Sequence, residues 1–204
     1  DQTGCDLYDV LKLSKSVAGV SIEHLDGIMM HQEEDALMIV LADATGHGIG
    51  PALTITLFRA LVRMGLRTLG TLNQLLSHIN QQLSQDLPEN RFITAFVGTM
   101  MPKGHKLAFQ SAGQGPLLHF RKADKAFDWH NATTVPLAVV PDLPLDAPQI
   151  VELHVGDIFV LLTDGFFEQQ NRDSDQFGQE RVADVVGRQH AAPAAMILSE
   201  LIQA

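Results

Sequence analysis

The sequence predicts a mixed α+β fold in which two mostly antiparallel sheets are covered by helices. Three observations predict it. Two helical patterns sit side by side over residues 51–83. From residue 92 short β runs follow one another at hairpin-length spacing, without the long crossovers that parallel strands require. Helical character then returns over 179–188 and 193–203.

The elements justify themselves in chain order. Residues 36–43 read as a strand, an apolar run that stops at Asp43. A turn carrying Gly46, Gly48 and Gly50 leads into a helix over 51–64, where Leu53, Leu57, Leu61 and Met64 recur at helical spacing and the Leu53, Leu57, Leu61 stripe is expected to face inward. Thr71 opens a second helix. Thr71 and Gln74 have the T-x-x-Q spacing of a capping box, and Leu72, Leu75, Leu76, Ile79 and Leu83 fall on one face. Strands are predicted at 92–101, 106–110, 117–121, 149–154 and 157–163, separated by turn signals such as Pro102-Lys103-Gly104 and Val155-Gly156-Asp157.

With 204 residues, 46% of them hydrophobic and 19% charged, the chain has enough material for one sizeable core, and it reads as a single domain over 1–204. It contains no apolar run of about 18 residues and no basic-then-apolar leader, so neither a membrane span nor a signal peptide is read. The single cysteine, Cys5, cannot form an internal disulfide, which fits a cytoplasmic setting. A net charge of −10 with 14 scattered Lys and Arg argues against nucleic acid.

Chemistry concentrates at two aspartates about 120 residues apart. Asp43 and Asp164 each end an aliphatic run and are followed closely by glycine, in Ala42-Asp43-Ala44-Thr45-Gly46 and Thr163-Asp164-Gly165. A buried strand that delivers a carboxylate to a sheet edge, where the backbone turns sharply, suits a hard cation such as Mg²⁺ or Mn²⁺. One cysteine excludes a thiolate cage. The competing reading of each is a turn or cap aspartate. Gly46-x-Gly48-x-Gly50 is not a dinucleotide loop, because position 51 is Pro51, and no Walker A lysine is present. Neither a G-x-S-x-G elbow nor a cysteine-based phosphate loop occurs, so a covalent enzyme intermediate is not expected.

Taken in order, Gly4-Cys5-Asp6-Leu7-Tyr8-Asp9, Ala42 to Gly48, Thr94-Ala95-Phe96, Ser111 to Pro116, Gly156-Asp157, Thr163-Asp164-Gly165 with Glu168 and Asn171, and Phe177 to Arg181 resemble one family across nearly the whole chain. This is the metal-dependent protein serine/threonine phosphatases (the PPM or protein phosphatase 2C family), in its bacterial SpoIIE/RsbU-like branch. The resemblance implies a four-layer α/β/β/α sandwich with its metal site at one sheet edge. It also implies hydrolysis of phosphoserine or phosphothreonine on a signalling protein, such as an anti-anti-sigma-type regulator, by water activated between two Mg²⁺ or Mn²⁺ ions. An upstream sensor or regulatory domain and a homodimer are the partners it implies, acting through the helices next to the site.

Carried over residue by residue, the resemblance makes Asp43 the bridging ligand, adds the Ala44 carbonyl, and assigns further ligands to Asp164 and Asp6. Asp9, Gly46, His47, Glu168 and Asn171 stand around them as shaping or second-sphere groups. A cation site also answers an electrostatic difficulty, since a chain of charge −10 would otherwise repel a phosphoester. Three departures from the family pattern stand out. Cys5 replaces a glycine, and the interval of 37 residues from Asp6 to Asp43 exceeds the usual one, which leaves Glu23 or Asp26 as alternatives to Asp6. The last aspartate is Asp184, so either the protein continues past Ala204 into the family's final acidic strand or one metal site is incomplete. A catalytically weak module that binds a regulatory partner is therefore the second reading.

Overall fold

Every second residue of one strand is buried, and that alternation organises the first half of the chain. In β4 (Ala36–Ala44), Ala36, Met38, Val40, Ala42 and Ala44 are buried while Leu37, Ile39, Leu41 and Asp43 are only partly covered. The computed structural model describes residues 6–13, 24–25, 28–29, 36–67, 70–167, 169 and 176–204. The remaining elements are β1 (Asp6–Leu13), the short β2 (His24–Leu25) and β3 (Ile28–Met29), α1 (Ile49–Gly65), α2 (Leu72–Asp86), β5 (Ile93–Met101), β6 (Lys106–Ala112), β7 (Leu117–Arg121), β8 (Ala126–His130), β9 (Gln149–Glu152), β10 (Ile158–Val160), α3 (Asp164–Phe167), α4 (Gly178–Gln189) and α5 (Ala194–Gln203).

The chain forms two compact units, residues 1–114 with 132–152, and residues 115–131 with 153–204. The first holds a five-stranded antiparallel sheet in the order β1-β4-β5-β6-β9. The buried side of β4 packs with Ile93, Ala95, Val97 and Met101 of β5 and with the apolar faces of α1 and α2 in one core. Helix α2 starts at the predicted Thr71 cap, with Gln74 reaching back to Gly70 N rather than to the Thr71 N–H. Thr71 Oγ1 accepts from Gln74 N at 3.2 Å, and Gln74 Oε1 accepts from Gly70 N at 3.2 Å. Leu72, Leu75, Leu76, Ile79 and Leu83 are buried as the spacing predicts.

Helix α1 corrects its expected face. Its buried residues are Pro51, Thr54, Ile55, Phe58 and Val62, whereas Leu53 is 66% and Met64 62% exposed, with Leu57 and Leu61 only partly buried against the core. Ile-Gly-Pro-Ala-Leu-Thr-Ile-Thr-Leu-Phe-Arg-Ala-Leu-Val-Arg-Met-Gly is apolar on several sides. More than one stripe therefore has helical spacing, and docking on β4 selects the one containing Phe58.

The second unit has a three-stranded antiparallel sheet, β10-β7-β8, whose Leu118 and Phe120 share a core with Val182, Val185 and Val186 of α4 and Ile197 and Leu201 of α5. The Asp157 side chain, 3% exposed, ties the turn before β10 to the end of β7. It accepts from Lys122 N and His154 N, both at 2.9 Å, and meets His119 Nε2 at 3.3 Å. Among the described residues no helix is long and apolar enough to cross a membrane.

Candidate functional site

The two N-terminal acids meet because of strand register. In the antiparallel pairing of β1 with β4, Asp6 lies directly opposite Asp43, and in that of β4 with β5, Asp43 lies opposite Thr94. Directly paired residues project from the same face, with Cβ atoms about 5 Å apart. Asp6, Asp43 and Thr94 thus form one row across three strands, on the face away from α1 and α2. Two carboxylates in such a row repel each other unless a cation lies between them.

The row ends where the backbone turns. Thr45 pins the turn to the residue before β5: its N–H donates to the Phe92 carbonyl at 3.1 Å, its hydroxyl donates to the same oxygen at 3.2 Å, and it accepts from Phe92 N at 3.1 Å. Gly46 and Gly48 then take φ of +97° and +89°, which side chains rarely adopt, and α1 begins at Ile49. His47 between them is exposed. Ala44 pairs with Ile93, yet Ile93 exchanges both of its backbone hydrogen bonds with Leu137, at 3.1 and 2.9 Å. The Ile93 N–H is therefore not the donor to the Ala44 carbonyl. Carboxylates and a strand-end carbonyl are an all-oxygen donor set, which fits a hard divalent cation.

Thr94 and Gln114 join the site without having been given a role from sequence. Thr94 Oγ1 donates to Gln114 Oε1 at 3.2 Å, and Gln114, 2% exposed, has its carbonyl held by the Ser111 hydroxyl. Only the strand register reveals this neighbourhood, since Thr94 lies 51 residues from Asp43 in sequence.

Asp9 does not join the row. Asp9 is three residues from Asp6 on β1 and so faces the opposite side, where Arg59 Nε and Arg63 Nη2 of α1 reach it at 3.0 and 2.7 Å. Burial raises its pKa, but the hydrogen bonds and charges of Arg63 and Arg59 outweigh that and hold the carboxyl below the usual range. Asp9 is thus a strut between β1 and α1, on the face opposite Asp6. Asp164 is in the second unit, exposed at the start of α3, with its Oδ1 accepting from Gly165 N at 2.8 Å. Glu168, Asn171, Glu23 and Asp26 fall outside the described residues. Among the described residues no group of three or more His, Cys, Asp or Glu side chains is placed to hold a metal. Asp6 and Asp43 are the two predicted carboxylates that the strand register brings together.

Comparison with known proteins gives a consistent picture. The profile of the family described as stage II sporulation protein E (SpoIIE) matches residues 33–204. Phosphoserine phosphatase RsbU of Bacillus subtilis is 26% identical over 156 residues, which cover 73% of this chain and 45% of that protein. The chain thus spans less than half the length of that relative. Among solved structures, the SiaA-PP2C domain of Pseudomonas aeruginosa superposes with a TM-score of 0.76 at 20% identity, over 98% of this chain and 72% of that one. RsbX in complex with magnesium superposes with a TM-score of 0.65 at 12% identity, over 100% and 84%.

Proposed function

Since the chain belongs to the SpoIIE family of PP2C-type phosphatases, we propose that it hydrolyses phosphoserine or phosphothreonine on a protein, using divalent metal held at the Asp6–Asp43 row. The observation that carries this reading is the register that sets Asp6 opposite Asp43 at the mouth of the glycine turn. Asp43, Asp6 and the Ala44 carbonyl would hold the metal. Two Mg²⁺ or Mn²⁺ ions, when bound, acidify the attacking water and neutralise phosphoryl charge.

The chain's own residues do the rest. Thr45 and the two positive-φ glycines fix the turn that follows Asp43. Thr94, hydrogen-bonded to Gln114, stands beside Asp43 and restricts where its carboxylate can rotate. The substrate reading is a phosphorylated regulator of the anti-anti-sigma type. Partner control is read from α1, which leaves Ile49, Leu53 and Met64 exposed 81%, 66% and 62%. An upstream domain or a second copy covering that face would shift the helix that begins six residues after Asp43.

The test compares phosphoserine peptide, phosphoprotein and nucleotides as substrates with Mn²⁺ or Mg²⁺. Metal-dependent release of phosphate from the phosphoserine substrates supports the reading. Metal binding with no hydrolysis of any of them would favour the module that only binds a partner.

A further inference from the structure

Arg91 is an arginine whose surroundings call for an anion. It lies in the connection between α2 and β5, and its base is rigid: its own N–H donates to the Pro88 carbonyl at 2.9 Å, and the next residue, Phe92, is clamped by Thr45. The side chain is partly buried and runs to the start of α1. There the guanidinium lies across Gly50. A Cβ on Gly50 would sit 2.5 Å from Nη1, 2.9 Å from Nη2 and 3.1 Å from Cζ, so any side chain there would push the guanidinium out of this position.

Electrostatically this is an uncomfortable place for a cation. The first turn of α1 carries no acidic residue, and Gly48 at its N-cap offers no side-chain acceptor. A positive group therefore rests at the positive end of a helix. Arg59, Arg63, Arg121 and Arg188 each meet a carboxylate, whereas Arg91, like Arg67 and Arg181, meets none among the described residues. In a chain of net charge −10, an arginine kept clear of acids beside a glycine turn is arranged for a ligand.

The location says which ligand. Arg91 lies three residues before Thr94, the cross-strand partner of Asp43, and Gly50 lies seven residues after Asp43, so both flank the turn that leads out of the carboxylate row. We propose that Arg91 binds the phosphoryl group of the substrate's phosphoserine or phosphothreonine, with the missing side chain at Gly50 holding open the lane in which its guanidinium lies. A planar fork of N–H donors matches two phosphoryl oxygens, and an ammonium does not. This inference rests on the phosphatase reading for its substrate, though not for its anion.

The experiment uses the whole chain with Mn²⁺ and three variants, Arg91→Ala, Arg91→Lys and Gly50→Ala. Inorganic phosphate is titrated by calorimetry, Mn²⁺ affinity and melting temperature are measured, and KM and kcat are determined with a phosphoserine peptide. Arg91→Ala is expected to weaken phosphate binding and raise KM by about tenfold or more, with Mn²⁺ affinity and melting temperature unchanged. Arg91→Lys falls between. Gly50→Ala keeps the charge but displaces the guanidinium; it weakens phosphate without lowering the melting temperature, because alanine favours helix. Wild-type phosphate affinity and KM in Arg91→Ala would overturn the proposal, and so would a loss confined to Mn²⁺ binding or melting temperature. If the unaltered chain hydrolyses no phosphopeptide, the phosphatase reading fails, while the phosphate titration still decides whether Arg91 binds the anion.

Discussion

Asp6 and Asp43 are direct cross-strand partners on the helix-free face of the five-stranded sheet, held there by eight consecutive residue pairs between β1 and β4. Substitution can separate their electrostatic role from their structural one. Asp6→Asn removes one of two facing charges, so in chelator the variant is expected to melt at or above the temperature of the unaltered chain. Added Mn²⁺ should stabilise it less, and turnover should fall by at least about two orders of magnitude, as for Asp43→Asn. Melting curves with and without metal, alongside phosphate release, check both halves.

Asp9, only three residues away, should behave in the opposite manner. Its carboxylate holds Arg59 and Arg63 of α1, both about half-exposed, so Asp9→Asn is expected to cost on the order of 1 kcal/mol without altering metal affinity. Its folded pKa is lowered, so the contribution is complete above the unfolded value of about 4 and disappears as pH falls through the folded one. Denaturant melts of both chains between neutral and acid pH should converge at the acid end.

The second unit contains a histidine that should weaken it at mildly acid pH. Burial, aided by the neighbouring His119, lowers the pKa of His130. An imidazole with a depressed folded pKa stabilises fully above its unfolded value of about 6.5, and that stability is lost as pH falls. His130→Phe keeps an aromatic ring near His119 and Phe159, whose centroids lie 6.4 and 5.9 Å away, and should remove this first acid step. Asp157 acts lower on the pH scale. Burial raises its pKa, but the backbone N–H groups of His154 and Lys122 and the His119 ring bring it below the usual range, so its contribution is lost only at carboxylate pH. Asp157→Ala should cost about 2–3 kcal/mol, since it strands donors around a site 3% exposed.

Gly48→Ala tests the turn. An added Cβ would meet nothing within 4 Å, yet φ of +89° with ψ of −160° is a region that only glycine occupies readily. The expected cost is therefore conformational, about 1–3 kcal/mol, accompanied by weaker metal binding because the turn after Asp43 must move. Unchanged stability and Mn²⁺ affinity would show that this backbone conformation is not needed.

Much of the fold was legible where one physical signal dominated. The Thr71 cap and the single apolar stripe of α2 fixed its start and its face, and the run ending at Asp43 announced β4. Misreadings came where signals competed. Helix α1 is apolar on several sides, so spacing alone selected the Leu53 stripe over the Phe58 one. Strand β1 was not read as a strand, because Tyr8 and Val10 are exposed 83% and 57% and its inward residues include Asp9, a paired acid. The edge strand β8, Ala-Phe-Asp-Trp-His, is too short to announce itself, and the expected strand over 157–163 is paired only from Ile158 to Val160. In the site, Asp43 was visible from its motif, but its neighbours Asp6 and Thr94 were united by register, which a linear pattern does not contain.

The most direct test of the central claim is a Mn²⁺ titration of the unaltered chain and of Asp43→Asn, followed calorimetrically and by phosphate release from a phosphoserine protein in the same samples. The account predicts that the unaltered chain binds Mn²⁺, is silent after exhaustive chelation and recovers with added metal, while Asp43→Asn stays folded but loses both binding and at least about 99% of turnover. Undiminished hydrolysis in chelator, or wild-type Mn²⁺ affinity and turnover in Asp43→Asn, would contradict it.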